Sequence, residues 1–217
     1  KTLVVLISAV FLILQNAAPL FAANAANWTE LYNNSASAVS STLTNSVAKT
    51  FGDPVVAFPS GYSLYINGGY GISTAVGGTI FSIASGGSLD IGTGSYVSGG
   101  IVNNGTLYFS NIASVSGGVS GSGALYNYTT LTTRDNISQS TLANWGNLTN
   151  DSSYSLTTLI NNSYINNYGT ITSSSIVNGG DLSSRANTLS GPIINGGTLN
   201  LTGGSNTNTI RNSAGNT

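Results

Sequence analysis

The apolar pattern begins with an almost unbroken hydrophobic run over residues 3–14, shortly after a single positive charge at Lys1. Small residues follow, where Ala23-Asn24-Ala25 offers a small-x-small cleavage site and Ala22 ends a competing one. This order of charge, apolar run and small residues is typical of a secretory signal peptide. The run is too short for a membrane span, which needs about 20 residues. We therefore predict that residues 1–25 form an export signal.

A four-residue spacing replaces this run over residues 27–48. The apolar positions that share the spacing are Leu31, Val39, Leu43 and Val47. Such a spacing lines one face of a helix, and Asn27 with Glu30 three positions later resembles a capping box. We predict an amphipathic helix within residues 26–52, which ends before Pro54. A helix placed before a β region would cover the open end of a sheet stack.

From Val55 onward, short runs rich in Val, Ile, Leu, Tyr and Thr alternate with Gly, Asn and Ser clusters, which predicts many short strands. One phrase recurs: two apolar residues and Asn, then a Gly-containing turn, then a small polar residue and Leu or Ile. Its long copies span residues 101–107, 164–171, 176–182 and 193–199. Most of the phrase glycines lie roughly 20 residues apart, and repeats of that period form solenoids.

The phrase predicts how one coil of such a solenoid is built. The apolar pair ends one strand, and Asn and Gly turn the corner because both tolerate a left-handed backbone. Asn side chains at equivalent corners can stack as an amide ladder along the axis. The predicted turn and ladder residues are Asn103, Gly105, Asn166, Gly169, Asn178, Gly180, Asn195 and Gly197. We predict an all-β solenoid over residues 53–217, with an ordinary β-sandwich or barrel as the alternative.

Composition narrows the function classes. Only 5% of the residues are charged, the formal net charge is -1, and the chain has no Cys and no His. Without a basic patch, nucleic-acid binding has no electrostatic support. Without Cys and His, the chain lacks disulfides, thiolate chemistry and the commonest metal ligand. We predict no cofactor, no resident metal and no nucleic-acid partner.

The acids after the leader are too scattered to predict catalysis. Glycan-cleaving sites need paired carboxylates, or acids that hold Ca²⁺. Asp90 follows a core Leu and Asp181 precedes one, so the phrase assigns them to different columns several rungs apart, on the order of 20 Å. Asp135 and Asp151 would meet only if their loops folded together. We predict no catalytic residue.

Tyrosine is the better candidate for recognition, since outward Tyr side chains beside Asn and Thr could bind glycans by ring stacking and hydrogen bonds. The candidate glycan-contact residues are Tyr108, Tyr126, Tyr128, Tyr164 and Tyr168. The alternative is aromatic stacking between rungs that only stabilises the rod. The varying offsets of these tyrosines from the repeated phrase favour that alternative.

The leader, the Trp28-Thr29-Glu30-Leu31 helix start and the Asn-Gly-Thr-Leu rungs resemble the passenger regions of bacterial autotransporters and related pectate-lyase-like surface adhesins. The resemblance covers nearly the whole chain and is one of composition and repeat style. It implies a right-handed parallel β-helix displayed outside the bacterial outer membrane. Autotransporters continue into a C-terminal membrane barrel, whose alternating strands are missing before Thr217. We therefore expect a fragment of a longer protein, or a chain released without its own barrel.

We thus expect a secreted or cell-surface adhesin or passenger with a structural and interaction role and no catalysis. Its expected partners are glycans or proteins of host or neighbouring cells, with self-association as a further option. Membrane contact would come only through the export signal or a missing barrel. Two alternatives stay open: a β-helix polysaccharide lyase or hydrolase, and a self-assembling surface-layer or fibre protein that stacks through open rod ends.

Overall fold

The chain folds as a parallel β-solenoid of about 10 turns, which confirms the fold class predicted from the repeated phrase. A computed structural model describes residues 23–74, 77–111, 114–185, 188–203 and 209–213. The predicted export signal lies outside the described residues except for Ala23–Ala25, which form the first strand. Most of the predicted repeat region, residues 53–217, is built into the coils.

Each complete coil passes through three strands, and like strands of successive coils stack into three faces with parallel pairing. Face 1 contains β1 (Ala23–Ala25), β2 (Ser41–Leu43), β5 (Ser63–Ile66), β8 (Ser88–Ile91), β11 (Thr106–Phe109), β14 (Ala124–Asn127), β23 (Ile193–Asn195) and β25 (Ile210–Asn212). Face 2 contains β3 (Val47–Lys49), β6 (Gly71–Thr74), β9 (Tyr96–Ser98), β12 (Ser114–Ser116), β15 (Thr130–Thr133), β17 (Asn147–Asn150), β19 (Tyr164–Asn167), β21 (Asp181–Ser184) and β24 (Thr198–Leu201). Face 3 contains β4 (Val56–Phe58), β7 (Thr79–Ile83), β10 (Gly100–Asn103), β13 (Val119–Ser120) and β22 (Leu189–Ser190).

Three long strands turn the corner from face 3 to face 1 without a break. They are β16 (Ile137–Asn144), β18 (Ser153–Asn161) and β20 (Thr170–Asn178). From β14 onward the rungs of face 1 are 17 residues apart, as the buried asparagines of that face show. The phrase glycines gave a less regular spacing because copies of the phrase mark all three corners of the coil.

The core is a set of inward columns of apolar residues that run from strand to strand along each face. On face 1 the column is Leu64, Leu89, Leu107, Leu125, Leu142, Leu159, Ile176 and Ile193, all almost fully buried. On face 3 it includes Phe81, Ile101, Val119, Ile137, Tyr154 and Ile171. Because stacked strands lie about 4.8 Å apart, each apolar side chain packs on its equivalent in the next rung. Burial therefore comes from stacking and not from any single coil.

The predicted amide ladder runs along the corner at the end of face 1. Asn127, Asn144, Asn161, Asn178 and Asn195 are all buried, and each donates its side-chain amide to the next asparagine, over 2.7 to 3.3 Å. Closer to the start of the chain, the same corner column holds Ile66, Ile91 and Phe109. The corner is thus apolar in the first coils and amide-based in the later ones.

The sequence prediction placed Asn166 in a ladder, and the structure corrects it to Asn167. Asn167 is buried at the corner after face 2, accepts a hydrogen bond from Asn150 Nδ2 (2.8 Å) and donates one to Ser184 Oγ (2.9 Å). Asn166 is half-buried and points outward, because alternate residues of a strand face opposite sides. The ladder residue lies two positions before the corner glycine, as for Asn178 and Gly180.

The corner glycines serve a different physical purpose from the predicted one. None of Gly105, Gly169, Gly180 and Gly197 has a positive φ. Instead, a Cβ on Gly169 would lie 1.8 Å from the carbonyl oxygen of Ser152 in the preceding rung. These positions need glycine because the backbones of successive rungs approach closely at the corner.

The helix is shorter than predicted. Helix α1 spans Trp28–Ala36, and the residues assigned to its second half form β2 and β3 instead. Leu43 and Val47 are buried as predicted, but from two strands of different faces. Ser and Thr between Ser37 and Thr44 are weak helix formers, and pairing with β5 and β6 of the next coil holds this segment as strands.

Both ends of α1 have defined caps. Asn27 Oδ1 accepts from the Glu30 amide (2.9 Å), as the capping box predicts, while the Glu30 carboxylate accepts from the Ala26 amide (2.7 Å). At the other end Ala38 adopts φ 55° and donates to the Ser35 carbonyl, and the Val39 amide donates to the Asn34 carbonyl. This pattern is a Schellman motif with Ala in the position that usually holds Gly.

The helix takes the position of two strands in the first coil, between β1 and β2. Trp28, Leu31 and Ser35 face the core, and the Ser35 hydroxyl donates to the carbonyl of Ala57 in β4. Because β4 is the first strand of face 3, α1 covers an edge that would otherwise present unpaired backbone groups. The helix therefore caps the end of the stack.

Candidate functional site

The outward column at the centre of face 1 differs from the other outward columns. It consists of Tyr65, Asp90, Tyr108, Tyr126, Ala143, Ile160, Val177, Ile194 and Arg211. Outward columns elsewhere are mostly polar, for example Ser138, Ser155, Thr172 and Ser190 on face 3. Face 1 therefore carries a continuous aromatic and aliphatic stripe from Tyr108 to Ile194, whereas apolar side chains exposed elsewhere, such as Phe51, are not part of such a column.

The aromatic part of this stripe widens into a patch, which we define as Tyr108, Tyr126, Tyr128 and Trp145. Tyr108 stacks on Tyr126 with a centroid separation of 5.3 Å and an interplanar angle of 18°. Trp145 stacks on both Tyr126 (6.0 Å, 23°) and Tyr128 (5.1 Å, 11°). Near-parallel rings at these separations are offset stacks, so part of each ring face stays uncovered. Trp145 is 42% exposed.

Register explains why these four rings meet. Tyr108 and Tyr126 are direct partners in β11 and β14. Tyr128 and Trp145 follow the ladder residues Asn127 and Asn144, and the Trp145 amide donates to the Asn127 carbonyl (2.7 Å). The ladder thus fixes Trp145 one rung beyond Tyr128.

The sequence prediction included three members of the patch but missed Trp145. The available signal was the 17-residue offset between Tyr128 and Trp145, which the irregular phrase spacing concealed. The other two candidates lie elsewhere. Tyr164 is half-buried on face 2, where its hydroxyl donates to Asn166 Oδ1 (3.0 Å), and Tyr168 is 41% exposed at the corner between faces 2 and 3.

One carboxylate lies beside the patch. Asp90 is only 8% exposed although it belongs to an outward column, and it accepts a hydrogen bond from the Ser110 hydroxyl. Its column neighbours are Tyr65 and Tyr108. Burial raises the pKa of Asp90 above the ordinary value of 3.8, and the bond from Ser110 opposes this. Burial likewise raises the pKa of the Tyr108 hydroxyl, with Tyr126 contributing.

The remaining acids lie apart from Asp90. Asp181 is exposed on face 2, where its register partners are Tyr164 and Thr198. The repeated phrase predicts different columns for Asp90 and Asp181, and the two residues lie on different faces. Asp135 accepts a hydrogen bond from the Gly117 amide (2.8 Å). Among the described residues, no three acids gather as potential metal ligands.

A groove lies where faces 2 and 3 meet. Its volume is about 530 Å³. Most of its lining residues are small or polar, including Thr79, Ser98, Gly99, Gly117 and Asn136. Its lining includes no acid, no base and no aromatic ring. The groove therefore offers backbone and hydroxyl groups for hydrogen bonding but no group suited to proton transfer.

These features define the described part of the chain as a helix-capped parallel β-solenoid with few charged residues and an aromatic patch on face 1. No family model, no curated protein and no solved structure matches the chain. Within the described ranges, no helix has the length and apolar character to cross a membrane.

Proposed function

We propose that the chain is an exported, cell-surface β-solenoid that contacts glycans or proteins of host or neighbouring cells and has no catalytic role. The observation that carries this proposal is the outward column of face 1, where partly exposed rings and aliphatic side chains follow one another along the rod. Exposed apolar groups rimmed by polar residues are typical of interaction sites. The stripe faces outward along a rod whose core is already complete without it.

The resemblance to autotransporter passengers supports the proposed location. Such a passenger is a rigid stalk that presents side chains at fixed heights above the cell surface, and stacked rungs supply that rigidity. Neutral rungs rich in Ser, Thr and Asn suit a rod exposed to water. The leader-like residues 1–25 supply the proposed route of export.

The alternative of a glycan-cleaving enzyme has less support. Such enzymes place two carboxyl groups about 5–10 Å apart, whereas Asp90 and Asp181 lie on different faces. Asp90 is also enclosed by its neighbours, so a substrate would have little access to its carboxyl group.

Surface display and binding can be tested together. Antibodies raised against the purified solenoid should label intact cells that express the gene and should not label cells from which the gene is deleted. The purified chain should also bind target cells saturably. If intact cells are labelled only after permeabilisation, and the purified chain binds no cell type tested, the proposal is wrong.

A further inference from the structure

We propose that the aromatic patch of Tyr108, Tyr126, Tyr128 and Trp145 is a binding site for an uncharged oligosaccharide that lies along the solenoid axis. This inference rests on the proposed function for its biological setting, and it names the ligand class of the site.

The arrangement of the rings selects a ligand with flat apolar faces. Interplanar angles of 11° to 23° mean that the rings are nearly parallel and form an offset stack, so they do not enclose a space. An aromatic cage for a quaternary ammonium group needs rings on several sides of the cation. A sugar ring, by contrast, offers a face of C–H groups that packs on an exposed aromatic face. The stacked rings of the patch therefore favour a saccharide over a compact cation.

The lack of charged side chains in the patch distinguishes between neutral and anionic ligands that can stack on aromatic rings. The four patch residues are uncharged, and the nearest acid in the column, Asp90, is buried beside Tyr108. Nucleic-acid bases also stack on aromatic side chains, but their phosphates need a positively charged groove. The chain has only 5 Lys and Arg residues in total. An acidic polysaccharide would meet the same lack of cations, so the patch fits a neutral glycan.

Polar groups border the rings on the side towards face 2. Thr130 and Asn147 lie two residues after Tyr128 and Trp145, are direct register partners, and are exposed. Beyond Trp145 at the same corner, the next rung carries Asn162 and the following rungs carry Gly179 and Gly196. The side chains at this corner thus become smaller after Trp145, which is itself 42% exposed. Hydroxyl and amide groups at this border are suited to bind sugar hydroxyls.

The patch also has the extent of a short oligosaccharide. From Tyr108 to Trp145 it crosses two rung spacings, about 10 Å along the axis. Since the rings follow the axis, we infer that the saccharide chain does so as well. Binding should be weak to moderate, because an open surface buries only one side of the ligand.

The chain contains its own reporter for this binding. Trp28 is buried in the capping helix, while Trp145 is exposed in the patch. A neutral hexaose that covers the patch should therefore change the fluorescence of Trp145 alone. We would titrate the purified chain with cellohexaose, maltohexaose and xylohexaose, and use polygalacturonate as an acidic probe. At least one neutral hexaose should give a saturable change, and the acidic probe should give none.

Variants separate recognition from structural stacking. Trp145→Ala and Tyr128→Ala should each weaken binding at least tenfold by calorimetry, while Tyr168→Ala, which removes an equally exposed tyrosine from another corner, should leave it unchanged. Circular dichroism checks that each variant is folded, and Tyr128→Ala keeps the test valid if Trp145→Ala unfolds. The inference is overturned if no neutral hexaose binds, or if the folded patch variants bind like the parent chain.

The two proposals can fail separately. Loss of saccharide binding by an intact surface-displayed chain would overturn the ligand assignment only. Absence of the chain from the cell surface would overturn the proposed function and leave the saccharide measurement standing.

Discussion

Asn144 and Asn161 occupy the same corner of successive rungs, and the side-chain amide of Asn144 donates to Oδ1 of Asn161 over 2.9 Å. Asn161 repeats the bond to Asn178 over 2.7 Å. Each buried amide is thus both donor and acceptor along the axis. The Nδ2 group of Asn161 also donates to the backbone carbonyls of Ser163 and Asp181 at the corner. The bonds satisfy polar groups that would otherwise be costly to bury.

The ladder should not tolerate a carboxylate. Asn161→Asp removes an amide that donates to Asn178, Ser163 and Asp181, and it places a charge where none is paired. We expect a loss of at least about 2 kcal/mol in the free energy of unfolding. The neighbouring Asn162→Asp is a matched control on the exposed side, with an expected change within about 0.5 kcal/mol. Urea denaturation followed by circular dichroism measures both, and equal losses would contradict the ladder's role.

Two adjacent glycines should respond in opposite ways to the same substitution. A Cβ on Gly180 would lie 2.0 Å from the carbonyl oxygen of Ser163, whereas a Cβ on Gly179 meets nothing closer than Asn162 Oδ1 at 3.5 Å. We expect Gly180→Ala to cost about 2–4 kcal/mol because the rungs must separate. Gly179→Ala should be neutral or stabilise by up to about 1 kcal/mol, since Ala restricts the unfolded chain. Thermal unfolding of both variants provides the comparison, and a tolerated Gly180→Ala would refute the close approach.

The buried carboxyl group of Asp90 should make stability depend on pH. Its pKa is 3.8 in the unfolded chain and higher in the folded protein, because burial disfavours the charged form. Between these two values the folded state binds more protons, so the stability contributed by Asp90 is present at lower pH and is lost as pH rises through that window. Asp90→Asn keeps an acceptor for Ser110 and removes the charge.

We therefore expect Asp90→Asn to be more stable than the parent chain at pH 7, with the difference shrinking towards pH 3. Chemical denaturation at several pH values measures it. Asp181→Asn, which changes an exposed acid on face 2, should alter stability by no more than about 0.5 kcal/mol at pH 7. A stability difference for Asp90→Asn that stays constant from pH 3 to pH 7 would show that the carboxyl group does not titrate differently in the two states.

The end of the capping helix offers a stabilising change. Ala38 adopts a left-handed conformation with φ 55°, which costs a residue with a Cβ roughly 1 kcal/mol. Ala38→Gly should therefore raise the melting temperature, with a gain of up to about 1 kcal/mol. Ala36→Gly, inside α1, should instead lower stability by about 0.5–1 kcal/mol. If both variants lose stability alike, the left-handed conformation of Ala38 does not reduce the stability of the folded chain.

The solenoid was predictable from sequence because its determinants are local and repeated. Leu107, Ile171 and Leu199 each lie two residues after a corner glycine, and that pattern alone indicates short inward-facing strands. The assignment of corners was not predictable from the phrase, because the same Asn-Gly-Thr-Leu chemistry turns the chain at more than one corner of the coil.

The patch was predictable only in part. Tyr126 and Tyr128 are visible as aromatic residues of a single rung, but their meeting with Trp145 depends on the 17-residue register. The exclusion of Tyr164 and Tyr168 depends on the same register. The helix error has another cause: Leu43 and Val47 fit a helical spacing by chance, and only packing against the next coil decides that they form strands.

The constant 17-residue period between Asn127 and Asn195 also means that this part of the rod consists of repeat units of equal length. Adding or removing one whole unit would shift everything beyond it by one rung, about 4.8 Å, while the bonds between asparagines stay aligned. The distance between the rings of Tyr128 and Trp145 and the far end of the rod can thus change in small equal steps, without any new fold.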